Sequence, residues 1–296
     1  IIATDIDINA GAPQGQGGDW LIDPYDYIID TTAANNIASA LNTGTSVFVS
    51  TSVYAPSYGS GGSNSAAGDI IVQRPINKTS GGDATLTLRA HRRVFLWSTG
   101  DITSSSGKLN VVLWSDYDNN DDAGVSIIGD ITTNGGHVWA GGSSSSYGTY
   151  SWNGLSVGNG PSVGGSGQNA NGLDIFANIS TGGGDFLAWA GDRRPGSGGV
   201  DGIASDGAGD EVNVGTGDII LITDRVNGDG STAIFFDTTG HFYLVPNDGA
   251  FRETFDWNPT VRSTYIDFGG NWNYMAIPSP ENLSGLTIGR YDGMTT

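Results

Sequence analysis

Asp101-Ile102-Thr103, Lys108-Leu109-Asn110-Val111-Val112-Leu113-Trp114-Ser115 and Val125-Ser126-Ile127-Ile128 follow one another with two polar gaps, Ser104 to Gly107 and Asp116 to Gly124. Gly129-Asp130-Ile131-Thr132 then starts the cycle again. Each apolar run is short, and each gap is rich in turn residues, so the runs read as strands. Three short strands in a unit of about 29 residues make one coil of a parallel β-solenoid. One coil buries too few side chains to stand alone. Stacked at about 4.8 Å, each coil satisfies its neighbour's backbone and extends a common core.

The pattern spreads outward from that unit. Gly-Asp-Ile recurs at Gly68-Asp69-Ile70, Gly100-Asp101-Ile102, Gly129-Asp130-Ile131 and Gly217-Asp218-Ile219. It predicts that Ile102, Ile131 and Ile219 share one inward position in different coils. Further strands are expected at 46–51, 69–73, 84–90, 94–98, 172–177, 186–190, 218–223, 233–236 and 241–245. In Ala84 to Ala90, Leu86, Leu88 and Ala90 face one way and Thr85, Thr87 and Arg89 the other; the Leu side is assigned to the core. One helix is expected, Thr32 to Leu41, with Ile37 and Leu41 four apart and Asn42-Thr43-Gly44 as its stop, near a capping end. Residues 143–171 and 193–209 read as Gly/Ser-rich loop excursions, and 246–280 as an irregular, aromatic-rich elaboration. The whole of 1–296 reads as one β-helix segment of a longer protein, since Ile1-Ile2-Ala3-Thr4 has neither a start Met nor a signal-peptide pattern. Its end strands, Ile1 to Ile8 and Leu286-Thr287-Ile288, are expected to pair end to end with adjacent chain.

Composition supports an all-β chain. There are 48 Gly, and the acids are 28 Asp against 3 Glu, the bases 10 Arg against 2 Lys. Glu and Lys, which fill exposed helix faces, are nearly missing, while turn residues abound. A net charge of −19 excludes a nucleic-acid partner. No apolar stretch is long enough for a membrane span. With no Cys there is no disulfide framework and no thiolate metal site.

Four constellations could carry chemistry. Asp116, Asp118 and Asp122 lie in the densest acidic corner and are the candidate metal ligands; calcium is the cation such a corner would take. The spacing is not that of an EF-hand, because Asp121 stands where that loop needs Gly. Arg89, Arg92 and Arg93, set beside that corner, would suit a calcium-dependent polysaccharide lyase using a base on one face. Gly154-Leu155-Ser156-Val157-Gly158 matches the nucleophile-elbow pattern but lacks a strand-to-helix context. His91, His137 and His241 have no motif around them and are expected to be surface or groove residues.

Trp20-Leu21-Ile22-Asp23-Pro24-Tyr25-Asp26, then Val47-Phe48-Val49-Ser50-Thr51, Leu86-Thr87-Leu88-Arg89-Ala90, Ile131-Thr132-Thr133-Asn134-Gly135-Gly136 and Ser284-Gly285-Leu286-Thr287-Ile288-Gly289 occur in an order that resembles filamentous-haemagglutinin-like bacterial exoproteins. The resemblance implies a right-handed parallel β-helix and an extracellular, surface-associated or filament-forming protein of the adhesin type. The expectation is a structural or adhesive segment rather than an enzyme, with itself or host and matrix glycans as partners. The alternatives are a carbohydrate-active β-helix enzyme of the lyase kind and a glycan-binding module. A row of outward aromatics would mark the glycan-binding module.

Overall fold

Each strand of the coil pairs, in parallel, with its equivalent one coil on, and three long sheets result. The computed structural model describes residues 19–22, 26–51, 68–119, 124–145, 147–163, 172–191, 202–205, 210–224, 226–228, 234–247, 255–259, 264–268, 274–289, 291 and 293. Sheet 1 runs through Asp19–Ile22, Ser46–Ser50, Ala84–Arg89, Leu109–Trp114, Val138–Gly141, Phe186–Gly191, Ile219–Ile222, His241–Val245 and Gly285–Ile288. Sheet 2 runs from Tyr27–Ile29 to Val226–Gly228, and sheet 3 starts at Ile76–Lys78. The chain visits sheets 1, 2 and 3 in turn, so the architecture is a parallel β-helix with three strands per coil.

The core is a set of columns. Val47, Leu86, Val111, Val138, Phe186, Ile219 and Phe242 lie in register down sheet 1, each fully or almost fully buried. Leu86, Leu88 and Ala90 face inward as their alternation required. Each such Leu or Ile contributes about 1.5–3 kcal/mol by burial. The isoleucine expectation needs correction. Ile102 and Ile131 are register partners in sheet 3, but Ile219 lies in sheet 1 and Ile70 in sheet 2. All four point inward. Gly-Asp-Ile is therefore a general device for entering a strand, not the mark of one corner.

The triplet's Asp has a specific task. Asp101 Oδ1 accepts the backbone N–H of Asp130 at 3.0 Å, and Asp130 Oδ1 accepts that of Asn178 at 2.9 Å. On sheet 1, Asp185 Oδ1 accepts from Asp218 and Asp218 Oδ1 from His241, both at 2.8 Å. A side chain of Asp length reaches the peptide one coil ahead, which accounts for Asp over Glu. The glycines beside them allow close stacking: a Cβ on Gly184 would lie 2.0 Å from Gly136 O, and one on Gly217 2.1 Å from Gly184 O.

The helix is present as Thr31–Leu41. Asp30 caps it, its carboxylate accepting from Ala33 N at 3.0 Å, and Ala34, Ile37, Ala40 and Leu41 are buried. It takes the place of a sheet 3 strand in the first coil and packs against Ile76–Lys78. The 246–280 elaboration adds antiparallel strands Phe255–Pro259 and Thr264–Phe268 to sheet 3, joined through Tyr274–Ile277. Long insertions share a position. Segments 52–67, 115–124, 142–172 and 192–202 all follow a sheet 1 strand, whereas the turn from sheet 3 back to sheet 1 stays short.

Candidate functional site

Alternation sends every second residue of sheet 1 outward. The middle outward column is Phe48, Thr87, Val112, Trp139, Leu187, Ile220 and Tyr243. From Val112 to Ile220 it is apolar and buried. Residues 143–171, expected as a loop, instead carry an antiparallel hairpin, Thr149–Trp152 with Leu155–Gly158. Its Trp152, Leu155 and Val157 close over Val112, Trp114, Trp139, Leu187, Ile220 and Ile222 as a second hydrophobic core outside the solenoid. The turn uses Asn153 at φ 48° and Gly154 at φ 76°, the left-handed pair that a two-residue hairpin needs. Trp114 donates to Ser143 Oγ at 3.0 Å, and Trp152 to the Tyr291 hydroxyl at 3.0 Å. The outward column thus mixes aliphatic and aromatic residues instead of forming a row of aromatics, and its centre is covered. We expect Trp152→Ala to cost about 3–5 kcal/mol locally. Hydrogen exchange should then rise across 149–158 while the solenoid strands keep their protection.

Where the hairpin ends, a groove of about 430 Å³ opens on the first coils of sheet 1. Leu21, Phe48, Thr85, Thr87, Arg89 and Val112 contribute to it from the sheet, with Ser46 and Ser50 beside them. Gly154, Leu155 and Ser156 of the hairpin form its wall. Arg89 is the one charged side chain among the described residues of this lining. Its Nε and Nη2 donate to Ser50 Oγ at 3.1 and 3.0 Å. Its guanidinium carbon lies 3.8 Å from the centre of the Tyr117 ring and 4.5 Å from that of Phe48. Stacking holds the cation flat and in place. The lining combines hydroxyls, an aromatic face and a fixed cation, which suits contact and hydrogen bonding. Among the described residues of the lining there is no carboxylate pair of the kind that acid–base hydrolysis of a glycoside uses.

The residues singled out in sequence are distributed as follows. Asp116 is fully buried at φ 49°, donates its N–H to Arg92 O at 2.8 Å, and begins a turn closed by Asn119. Burial raises the Asp118 carboxyl above the usual range, with His91 pulling the other way. Asp122 lies outside the described residues, as do Ile1 to Ile8. Among the described residues no group of three or more His, Asp or Glu is placed to hold a metal ion. Arg92 and Arg93 both bind Asp69, with Arg92 Nη2 at 2.6 Å and Arg93 Nε at 2.9 Å from Asp69 Oδ2. Ser156 of the Gly-x-Ser-x-Gly match sits on a hairpin strand, with no strand-to-helix elbow around it.

The histidines are not bare surface groups. His91 donates from Nδ1 to the Thr51 carbonyl, and His241 Nε2 lies 2.8 Å from Thr287 Oγ1. His137 Nδ1 receives the Asp185 backbone N–H at 2.9 Å. The aromatic seat of Arg89 has no signal in sequence, because its partners come from the coil before it and the coil after it. The hairpin had one: Asn153-Gly154 between Tyr150, Trp152 and Leu155, Val157. No protein-family model matches the chain, and no curated protein matches it either.

Proposed function

We propose that the chain is a structural and adhesive segment of a secreted bacterial surface exoprotein. In this reading the solenoid is the rod and the groove beside the hairpin is its contact patch for host or matrix glycans. The lining of the groove carries the reading: Phe48 and the stacked Arg89 amid Ser46, Ser50, Thr85, Thr87 and Ser156. An aromatic face stacks on a sugar ring, hydroxyls exchange hydrogen bonds with it, and the guanidinium takes its ring or carboxyl oxygens.

The test is calorimetric titration of the 296-residue chain with a panel of neutral and acidic oligosaccharides. Phe48→Ala and Arg89→Ala should each weaken binding about ten-fold, the effect of losing roughly 1.4 kcal/mol. Trp97→Ala should leave binding unchanged, since Trp97 is exposed on the sheet 2 side and outside the groove lining. Absence of binding to any member of the panel, or equal loss in Trp97→Ala, would remove the groove from the function.

A further inference from the structure

The hairpin is fastened at its tip to two titratable groups. Asn153 Nδ2 donates to Asp185 Oδ2 at 2.6 Å and lies 3.3 Å from His137 Nδ1. The same Nδ1 accepts the backbone N–H of Asp185, so it carries no proton and the ring is the neutral Nε2–H form. Trp152, on the hairpin, meets the His137 ring edge-on at 5.7 Å between centroids. We infer that the hairpin is an acid-released cover: protonation of His137 frees it from sheet 1 and bares the apolar strip beneath.

The geometry gives the sequence of events. A proton on Nδ1 turns an acceptor into a donor that faces the Asp185 N–H, and the two repel. Asp185 Oδ2, 3.6 Å away, is the acceptor within reach. The imidazolium takes it and displaces Asn153, the tip's own partner. The ring turns, and the Trp152 contact goes with it. Lys108 faces the ring from the preceding coil and Asp185 from the following one; Asn153 and Trp152 face it from the hairpin.

Burial holds the His137 pKa below its ordinary value, with Lys108 acting the same way and Asp185 against both. The folded state therefore binds fewer protons than the unfolded one. The contribution of this group is fully present above about pH 6.5 and is lost as pH falls through the folded value. The cover also leaves a cost in place: Trp139 Nε1, fully buried beneath it, meets no acceptor among the described residues.

Hydrogen exchange of the 296-residue chain, corrected for intrinsic rates between about pH 7.5 and 5, tests this. The 149–158 peptides should lose protection about ten-fold more than those of Ala84–Arg89 over that range. His137→Asn is the matched variant. Asn110, one coil earlier, already holds the next backbone N–H through its Oδ1 at 2.9 Å, so an Asn at 137 keeps the acceptor and removes the titration. Its hairpin should stay protected at both pH values. Asn153→Gly, which suits the turn and removes the tether, should show a loosened hairpin at neutral pH. A pH-independent wild-type hairpin, the same acid loss in His137→Asn, or full protection in Asn153→Gly would each overturn the inference.

Discussion

Gly184→Ala will lower the melting temperature by roughly 5–10 °C, the effect of about 3 kcal/mol in a chain of this size. The added methyl would lie 2.0 Å from Gly136 O and 2.4 Å from its carbonyl carbon. Both obstacles are backbone, so no side chain can swing aside, and the coils must part. Parting them also stretches the hydrogen bonds between Val138–Gly141 and Phe186–Gly191. Gly82→Ala is the control. A Cβ there meets nothing within 4 Å. It should stay within about 0.5 kcal/mol of wild type. Scanning calorimetry of the two variants decides the matter: equal melting temperatures would mean that the glycine column does not set the stacking distance.

Lys78→Met will destabilise the first coils by about 2–3 kcal/mol. Lys78 is fully buried at the inward position that Ser104 holds one coil on. Its ammonium donates to Ser80 O at 2.7 Å, to Gly81 O at 3.3 Å and to Ser106 O, thereby tying two successive corners together. Elsewhere in the stack a hydroxyl stands at such corners, as Thr133 Oγ1 does for Gly136 O at 2.6 Å, with Thr181 O of the next coil at 3.2 Å. Burial pushes the Lys78 pKa below that of an ordinary lysine, with Asp83 opposing, so the charge itself is held at a cost. The gain lies in the donors. Methionine fills the space but removes the donor that Ser80 O, Gly81 O and Ser106 O share, and Ser106 O keeps a second one in Ser104 Oγ at 3.3 Å. Urea denaturation with unchanged slope and a lower midpoint is the expected result. A midpoint equal to wild type would show that those carbonyls find other donors.

The solenoid was legible because its causes are local and repeated. Leu86-Thr87-Leu88 alternates wherever it is read, and Gly-Asp-Ile needs its Gly for close stacking and its Asp for the next coil's peptide. Sheet membership was not legible. The same triplet enters all three sheets, so Ile219 could be placed inside but not beside Ile131. The hairpin carried its signal in Asn153-Gly154, but the Ser and Gly around it made the region look like a plain loop. Lys78 looked like any polar residue in a turn-rich stretch; only the stacking of Ser80, Gly81 and Ser106 around it gives it a role. Arg89 was read correctly as outward, and its aromatic seat needed the fold, since Phe48 and Tyr117 lie far from it along the chain.

The shared position of the long insertions sets how this rod can vary. After a sheet 1 strand the chain can add a few residues or a whole hairpin, and the following strand still returns to register. At the turn from sheet 3 to sheet 1 the length changes by only a residue or two between successive coils, because the glycine column and the hydroxyls beneath it confine the path. The molecule therefore has one permissive seam along its length. Cassettes exchanged along that seam would change what the rod displays without altering its pitch. A foreign epitope grafted there should be presented at a fixed height, while an insert of the same length at the opposite corner should force the coils apart.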